Sequence, residues 1–407
     1  MTQHHTARHA FTGLLIAALL CPPAAAQARR RPPSEREAPG FNLVELPEEK
    51  TRRNIGAFFD KLRAGKPVTV AYLGGSITAG AAATDPAKTS YRALVTEWLR
   101  QQHPRATVTQ INAAVGGTGS PYGALRTRRD VIAHKPDLVF VEFAVNDAGE
   151  EEEAVRRSVE GILRQLLLMP QPPEIVMLYA TNGKRQARVD WHEPLAAHYQ
   201  VPAVDLQTQA WELIAAGKVA PATLWKEGAQ PLDEGHKIFA QLVTAFLAEQ
   251  AKLKPSPLLK SLPPPLVSDE MTYGELKPFA EIKHGAAWRV EPVSDRTLPA
   301  TLLASDKAGA EIEVLFDGSA VGIAFRAGPD VGVFECLIDG KPAPAPLARV
   351  DAYDATHRIK TRIIAGGLPP GEHRLTIRLL DEKNPKSVGH QIRLGYFLLG
   401  GPRPERL

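Results

Sequence analysis

Residues 68–80, which read VTVAYLGGSITAG, decide the fold of the first half of this 407-residue chain. The apolar, β-branched run at their start is typical of a buried strand in a parallel sheet. Two glycines and Ser76 end that run, and a helix-like segment follows after a short loop. Open α/β sheets bind their ligands at the carboxyl ends of the strands. The pattern therefore predicts that Ser76 lies in a ligand site.

Two later segments have the same form of a strand that ends in a polar turn. Residues 108–119 (VTQINAAVGGTG) pass from a strand into a glycine-rich loop, and residues 138–147 (LVFVEFAVND) close with Asn146 and Asp147. Serine, glycine and asparagine at the ends of three successive strands resemble the SGNH (GDSL-type) hydrolase superfamily. The resemblance covers about residues 50–250.

The resemblance implies a flavodoxin-like, three-layer α/β/α domain and a role for each motif residue. Ser76 matches the family's nucleophile, Gly117 or its neighbour Gly116 matches the second-block glycine, and Asn146 matches the third-block asparagine. Ester cleavage passes through an oxyanion that preorganised hydrogen-bond donors stabilise. The backbone N–H groups of Ser76 and Gly117 and the side-chain amide of Asn146 are the expected donors.

The fourth block departs from the family pattern. The family carries Asp-x-x-His-Pro before its last helix, whereas residues 224–239 read LWKEGAQPLDEGHKIF. Aligned on Pro231 and on the Gly-His pair that ends at His236, Glu227 occupies the aspartate position and Gln230 the histidine position. A serine hydroxyl needs a base to take its proton, and glutamine is not a base near neutral pH.

Two interpretations of His236 follow. In the first, His236 is the base, and Asp233 or Glu227 orients it. In the second, Asp233 caps the last helix and His236 is an ordinary helix-start histidine, so that the protein either is a pseudoenzyme or recruits another base. Of the residues available, we predict His236 as the base and Asp233 as its partner.

Other polar residues receive structural interpretations. Glu142 lies within an apolar strand, where an ionised carboxylate is costly unless it is paired, and Arg126 is a candidate partner. His134, His192 and His198 are predicted to be surface or helix-packing histidines.

The order of segments predicts two domains. Helix-like and strand-like segments alternate over residues 46–251, which indicates a parallel sheet covered by helices. Residues 252–268 hold five prolines and predict an extended linker. Residues 269–407 show short β-prone runs separated by turn residues, which predict an antiparallel β-sandwich. It resembles jelly-roll, galactose-binding-like modules of some carbohydrate esterases, and a structural or dimer-forming sandwich is the alternative.

The N-terminus predicts export. The apolar residues 11–20 precede the small residues AAAQA at 24–28, so that residues 1–28 are a predicted signal peptide and residues 29–45 a disordered segment. Cys21 follows a leucine where a lipoprotein signal requires a small residue, which favours a soluble secreted or periplasmic protein over a lipoprotein. Cys336, the other cysteine of the chain, lies in an apolar run and is a predicted buried thiol.

Charge and residue content argue against two classes of function, namely nucleic-acid binding and metal-dependent chemistry. The net charge is +4, and no basic stripe with interleaved aromatic residues supports nucleic-acid binding. No Cys/His cluster has zinc spacing, so no metal or organic cofactor is expected. The sequence predicts a secreted serine esterase that removes O-acyl groups, with acetyl esters of a polysaccharide as the expected substrate. The alternative is a catalytically impaired carbohydrate-binding protein, which Gln230 favours.

Overall fold

A computed structural model describes most of the chain after the first fifty residues, namely residues 52–257, 261–294, 299–369 and 371–401. The predicted signal peptide (1–28) and disordered segment (29–45) lie outside these residues. All the described residues belong to one compact unit. None of the helices described is long and apolar enough to cross a bilayer.

The first part of the unit is an α/β domain, as predicted. Its parallel strands are β1 (Val68–Gly74), β2 (Val108–Ala114), β3 (Leu138–Glu142), β4 (Glu174–Leu178) and β5 (Ala203–Val204). Its helices are α1 (Gly56–Arg63), α2 (Ser76–Ala79), α3 (Tyr91–Gln102), α4 (Ser120–Asp130), α5 (Glu152–Leu167), α6 (Val189–His198), α7 (Leu206–Ala215), α8 (Pro221–Leu224) and α9 (Asp233–Gln250). Two short strands, β6 (Trp225–Lys226) and β7 (Gln230–Pro231), form a separate antiparallel ribbon.

The strand order β2-β1-β3-β4-β5 is that of flavodoxin-like sheets. Alternate side chains of the strands enter two cores. Tyr72 and Phe140 face α1, α3 and α9, whereas Val139 and Val141 face α4, α5 and α6. The order of strands reverses between β1 and β3, and ligands bind at such a switch point. The residues after β1 and β3 therefore come together at the carboxyl edge of the sheet.

The first helix described, α1, begins at Gly56, and α7 is a helix that the sequence pattern did not reveal. A local signal for α7 was present, because the Asp205 side chain accepts a hydrogen bond from the backbone N–H of Thr208. An aspartate that binds the N–H three residues later is the usual cap of a helix N-terminus.

The second part of the unit is an antiparallel β-sandwich, as predicted. Its strands are β8 (Tyr273–Pro278), β9 (Arg289–Pro292), β10 (Thr301–Ser305), β11 (Glu311–Asp317), β12 (Ala320–Ala327), β13 (Val333–Ile338), β14 (Lys341–Pro342), β15 (Arg349–Asp351), β16 (Arg358–Ala365), β17 (Glu372–Leu379) and β18 (Ile392–Gly401). One sheet has the order β16-β12-β18-β10-β9, with β8 also paired to β18, and the other has the order β11-β17-β13-β14, with β15 also paired to β13. Cys336 is buried between the sheets, as expected.

The two parts share one apolar core. Tyr122 and Leu125 of α4 belong to the same buried cluster as Met271 and Leu398 of the second part. The Gln165 side chain donates hydrogen bonds to the carbonyls of Ala124 and Met271, both at 2.8 Å. Burial of this kind holds the sandwich against the α/β domain.

The segment predicted to be an extended linker is held against the α/β domain by a buried carboxylate. Glu160 of α5 accepts backbone hydrogen bonds from Leu266, Val267 and Ser268, the last two at 2.7 and 2.8 Å. The same carboxylate accepts the Tyr199 hydroxyl at 2.6 Å. A carboxylate that satisfies several backbone donors fixes the path of the chain. Residues 266–268 are thus part of the folded body.

We expect Glu160→Gln to lower the free energy of unfolding by about 2–4 kcal/mol, because the amide NH2 would face backbone donors that then lack an acceptor. Urea denaturation of the full chain measures this change. Glu153→Gln on the same helix is the matched control, since the Glu153 side chain is 77% exposed. Equal stabilities of the two variants would contradict the anchoring role of Glu160.

Candidate active site

Ser76 stands at the start of α2, directly after β1. The turn that exposes it depends on Gly75, because a Cβ at that position would collide with Oδ1 of Asn146. The side chain of Asn146 therefore packs directly on the backbone that precedes Ser76. The first and third sequence motifs meet at the switch point, as their strand ends predicted.

The glycine loop after β2 completes this arrangement. A Cβ added at Gly116 would lie 3.8 Å from the Cβ of Ser76. Gly117 has a φ of 74°, in the left-handed region that favours glycine, and open space surrounds the position where its Cβ would be. The structure thus brings Gly116 beside Ser76, and the conformation of the loop depends on Gly117.

Gln230 occupies the place of the missing base. Its Nε2 donates a hydrogen bond to Ser76 Oγ at 3.1 Å. The ribbon formed by β6 and β7 positions it, and Glu227 lies in the tight turn of that ribbon with a φ of 51°. Gln230 Oε1 is buried and has no hydrogen-bond partner within the described residues. The residue at the aligned histidine position thus contacts Ser76 through an amide.

His236 is held elsewhere in the domain. Its Nε2 donates to the carbonyl of Ala81 at 3.3 Å, and its Nδ1 accepts from the backbone N–H of Tyr91 at 3.4 Å. The ring is fully buried, and burial lowers its pKa to about 4. Both ring nitrogens of the neutral imidazole thus bind backbone groups of the segment between α2 and α3. These contacts do not join His236 to Ser76.

Asp233 also makes structural contacts, which join α9 to the loop before α3. Asp233 is the first residue of α9, and the N-cap is Leu232. The interpretation of Asp233 as the N-cap was therefore wrong by one residue. Its carboxylate accepts the backbone N–H and hydroxyl of Thr84 at 2.8 and 2.6 Å and the hydroxyl of Thr89 at 2.8 Å. These hydrogen bonds lower the pKa of Asp233. The Asp-x-x-His spacing therefore serves to hold α9 against the loop before α3.

Glu142 and Arg126 lie on opposite faces of the sheet, so the pairing suggested by the sequence is not formed. Glu142 faces α3 and accepts a hydrogen bond from the Thr78 hydroxyl at 2.9 Å, and that hydroxyl also contacts the Tyr91 hydroxyl at 2.8 Å. Glu142 is fully buried, and this burial raises its pKa to about 7.

Arg126 clamps the ends of β1 and β2. Its fully buried guanidinium donates to the carbonyl of Gly74 at 3.0 Å and to the carbonyl of Ala113. Asp130 of the same helix accepts from Arg126 at 3.1 Å and balances its charge. Because Gly74 and Ala113 precede Ser76 and the glycine loop, Arg126 fixes the distance between those two parts of the site.

Asp147 joins the glycine loop to the asparagine motif. One of its carboxylate oxygens accepts from the backbone N–H of Ser120 at 2.7 Å, and the other lies 2.8 Å from Nε2 of His192. Both side chains are fully buried. His192 is thus a helix-packing histidine, as expected, and through Asp147 it supports the residue next to Asn146.

This arrangement of serine, glycine loop and asparagine agrees with a comparison of the sequence with family models. Residues 72–238 match the model of the GDSL-like Lipase/Acylhydrolase family. These residues form a GDSL-like lipase/acylhydrolase domain. The domain is therefore one of the carboxylic ester hydrolases.

Two solved structures resemble the GDSL-like domain together with the sandwich. A two-domain esterase (CEX) active on acetylated mannans, co-crystallised with mannopentaose, is 23% identical with a TM-score of 0.76, over 88% of this chain and 98% of that one. Another structure of a two-domain CEX active on acetylated mannans is 24% identical with a TM-score of 0.75, over 86% and 95% of the two chains. At these identities the likeness establishes a shared two-domain fold.

No curated protein matches the sequence. Within the described residues, His, Cys, Asp and Glu side chains form no group of three or more that could hold a metal ion.

The raised pKa of the buried Glu142 carboxyl makes the free energy of unfolding depend on pH. Its folded pKa of about 7 lies above the unfolded value of about 4.3, so the stability it contributes is present below pH 4.3 and is lost as the pH rises through 7. Glu142→Gln removes this titration. We expect the unfolding free energy of the variant, relative to the wild type, to increase by about 2 kcal/mol from pH 5 to pH 7.

Urea unfolding of both proteins at the two pH values measures the difference. Glu97→Gln, an exposed position on α3, serves as the control that leaves the pH dependence unchanged. Parallel pH profiles for Glu142→Gln and the wild type would show that Glu142 is ionised in the folded protein.

Proposed function

We propose that this protein removes acetyl groups from a polysaccharide through an acyl-enzyme on Ser76. The observation that carries the proposal is the contact of Ser76 with the glycine loop and with the turn that Asn146 covers. Backbone N–H and amide groups close to a nucleophile support this proposal, because ester cleavage needs preorganised donors for its oxyanion. The GDSL-like domain supplies the reaction class.

In the proposed reaction, Ser76 Oγ attacks the acetyl carbonyl carbon, and the carbonyl oxygen becomes an oxyanion. Backbone N–H groups of Ser76 and the glycine loop and the Asn146 amide are the proposed donors. The ester C–O bond then breaks, and the sugar hydroxyl leaves with a proton. Water attacks the acetyl-serine, releases acetate and restores the Ser76 hydroxyl. No step uses a metal or an organic cofactor.

The substrate class rests on the likeness to the mannan esterase, which extends over both domains and 88% of this chain. An acetylated neutral polysaccharide such as mannan is the substrate that this likeness favours. The predicted signal peptide agrees with a polysaccharide substrate, because an exported enzyme would encounter polymeric glycans outside the cytoplasm.

Gln230 sets the rate of the proposed reaction. An amide N–H that donates to Ser76 Oγ orients the hydroxyl but accepts no proton. The proton must then pass to water or hydroxide in the open site. A positioned general base contributes about 10²–10⁴-fold to such a step, so turnover is expected to be slow by that factor.

A second candidate function is recognition of acylated glycans without turnover. Gln230 is the observation that favours it, since the amides of Gln230 and Asn146 can bind an ester carbonyl and hydroxyl groups without chemistry. Under this alternative the serine contributes only a hydrogen bond.

Hydrolysis of p-nitrophenyl acetate by the wild type and by Ser76→Ala distinguishes the two functions. We expect slow release of p-nitrophenol by the wild type and only the buffer rate with Ser76→Ala, because the nucleophile is removed. Acetate release from acetylated mannan should show the same difference. Equal rates for the two proteins at pH 7 and pH 9 would favour recognition without turnover.

Restoring a histidine tests the role of Gln230 directly. We expect Gln230→His to raise kcat by about 10²–10⁴-fold, because an imidazole at this position can take the Ser76 proton. Its rate should level off above the histidine pKa, whereas the wild-type rate should rise continuously with hydroxide concentration. The control Gln101→His, at an exposed position on α3, should leave the rate unchanged. No gain with Gln230→His would show that the missing base does not limit the reaction.

A further inference from the structure

A groove lined by both polar and apolar groups begins beside Ser76 and follows the open edge of the sheet. It encloses about 610 Å³, within the range of ligand sites. Ala79 and Gly116 line the end near the nucleophile, since α2 begins with Ser76 and Gly116 lies against it. Ala87 of the loop before α3 and His134 after α4 line its walls. The groove thus leads away from the reacting residue.

The floor of the groove is an edge strand with backbone groups turned outward. Strand β2 is the last strand of the sheet, and it is paired on one side by β1. The carbonyl of Thr107 and the N–H of Val115 bond to β1, so the odd-numbered residues between them face β1 and Asn112 faces outward. The Asn112 side chain accepts the N–H of Ala114. Asn112 lines the groove, and its backbone groups point away from β1.

The charges that line the groove are balanced. Two carboxylates, Asp85 and Asp130, face two guanidinium groups, Arg92 and Arg129. Asp85 pairs with a neighbouring lysine at 3.0 Å, and Asp130 binds both Arg126 and Arg129. Arg92 donates to backbone carbonyls, including that of Thr78 at 3.0 Å. Such a surface offers donors and acceptors without a net charge that would select an ionic ligand.

The side chains that line the groove include no Phe, Tyr or Trp ring, and the imidazole of His134 is the one aromatic ring among them. A ligand can therefore stack on this small ring alone, and hydrogen bonds and apolar contacts must supply the rest of the recognition. A neutral chain rich in hydroxyl groups matches a floor of peptide groups and walls of paired charges. An extended peptide could also add to an edge strand, but the end of the groove at the nucleophile favours a chain that carries the reacting ester.

We propose that this groove binds the neutral sugar units that flank the acylated residue of the polysaccharide. The proposal rests on the proposed function, because the position of Ser76 defines which sugar carries the ester. It adds that the unacetylated chain itself has affinity for the protein and that β2, Ala87 and His134 form the subsite. Small esters would reach Ser76 without using the groove.

Binding of unacetylated oligosaccharides tests the groove independently of turnover. Titration calorimetry of the full chain with mannopentaose, xylopentaose and cellopentaose should show binding of at least one of them. Ala87→Trp places a large side chain in the groove at an exposed turn, and it should weaken that binding by at least about tenfold. His134→Ala removes one hydrogen-bonding group, and it should weaken binding by about two- to tenfold.

Two controls separate the groove from the catalytic proposal. Ala308→Trp, in an exposed turn of the sandwich, should bind as the wild type does. Hydrolysis of p-nitrophenyl acetate should be the same for Ala308→Trp and the wild type, because Ala308 does not line the groove. Groove-dependent binding without Ser76-dependent hydrolysis would refute the proposed esterase and keep the subsite.

Two outcomes would overturn the subsite. One is unchanged affinity of Ala87→Trp for the bound oligosaccharide, which would place the sugar chain elsewhere. The other is absence of binding of all three oligosaccharides at millimolar concentration, or binding of an extended peptide in their place.

Discussion

The buried guanidinium of Arg126 is the interaction on which the site depends. It binds the last carbonyl of β1 and the carbonyl of Ala113 near the end of β2, and these two chain segments lead into Ser76 and into the glycine loop. A buried cation is costly unless it is paired and hydrogen-bonded, and Asp130 meets that requirement. Arg129 binds the same carboxylate, and its guanidinium lies 4.8 Å from the centre of the Tyr396 ring in the sandwich. One network therefore joins the second domain to the backbone that carries the nucleophile.

The surroundings of Ser76 are neutral and hydrogen-bonding. The groups placed against it are the amide of Gln230, the glycine backbone and the turn covered by Asn146. Dipoles of this kind can stabilise an oxyanion, since they act in a preorganised site. They cannot take up the proton of the attacking hydroxyl. The described side chain that hydrogen-bonds to Ser76 Oγ is thus an amide rather than a base.

The second domain belongs to the same folded body as the first. Met271 and Leu398 extend the core of the α/β domain, and Glu160 holds the backbone of residues 266–268. Apolar burial and a carboxylate that satisfies several donors act together at this junction. A flexible tether would leave the two domains free to reorient, whereas this junction sets one arrangement. The described residues from α1 to β18 therefore form a single folded unit.

The sequence by itself determined the class of both domains, the three strand-end motifs and the substitution at Gln230. These features follow from local patterns, because strand periodicity, turn residues and motif spacing can be recognised from residues that are close together in sequence. The roles of His236 and Asp233 were different. Their spacing suits a base and its partner, yet α9 turns both toward the loop before α3.

Only the tertiary structure decided which polar side chains meet. Glu142 and Arg126 were plausible partners in sequence, but the sheet separates them onto opposite faces. The proline-rich segment had the composition of a linker, but the buried Glu160 holds its last residues against α5. In each case the outcome depends on the face of an element that packs against its neighbour. Spacing along the chain carries no information on that orientation, and long-range burial and hydrogen bonding supply it.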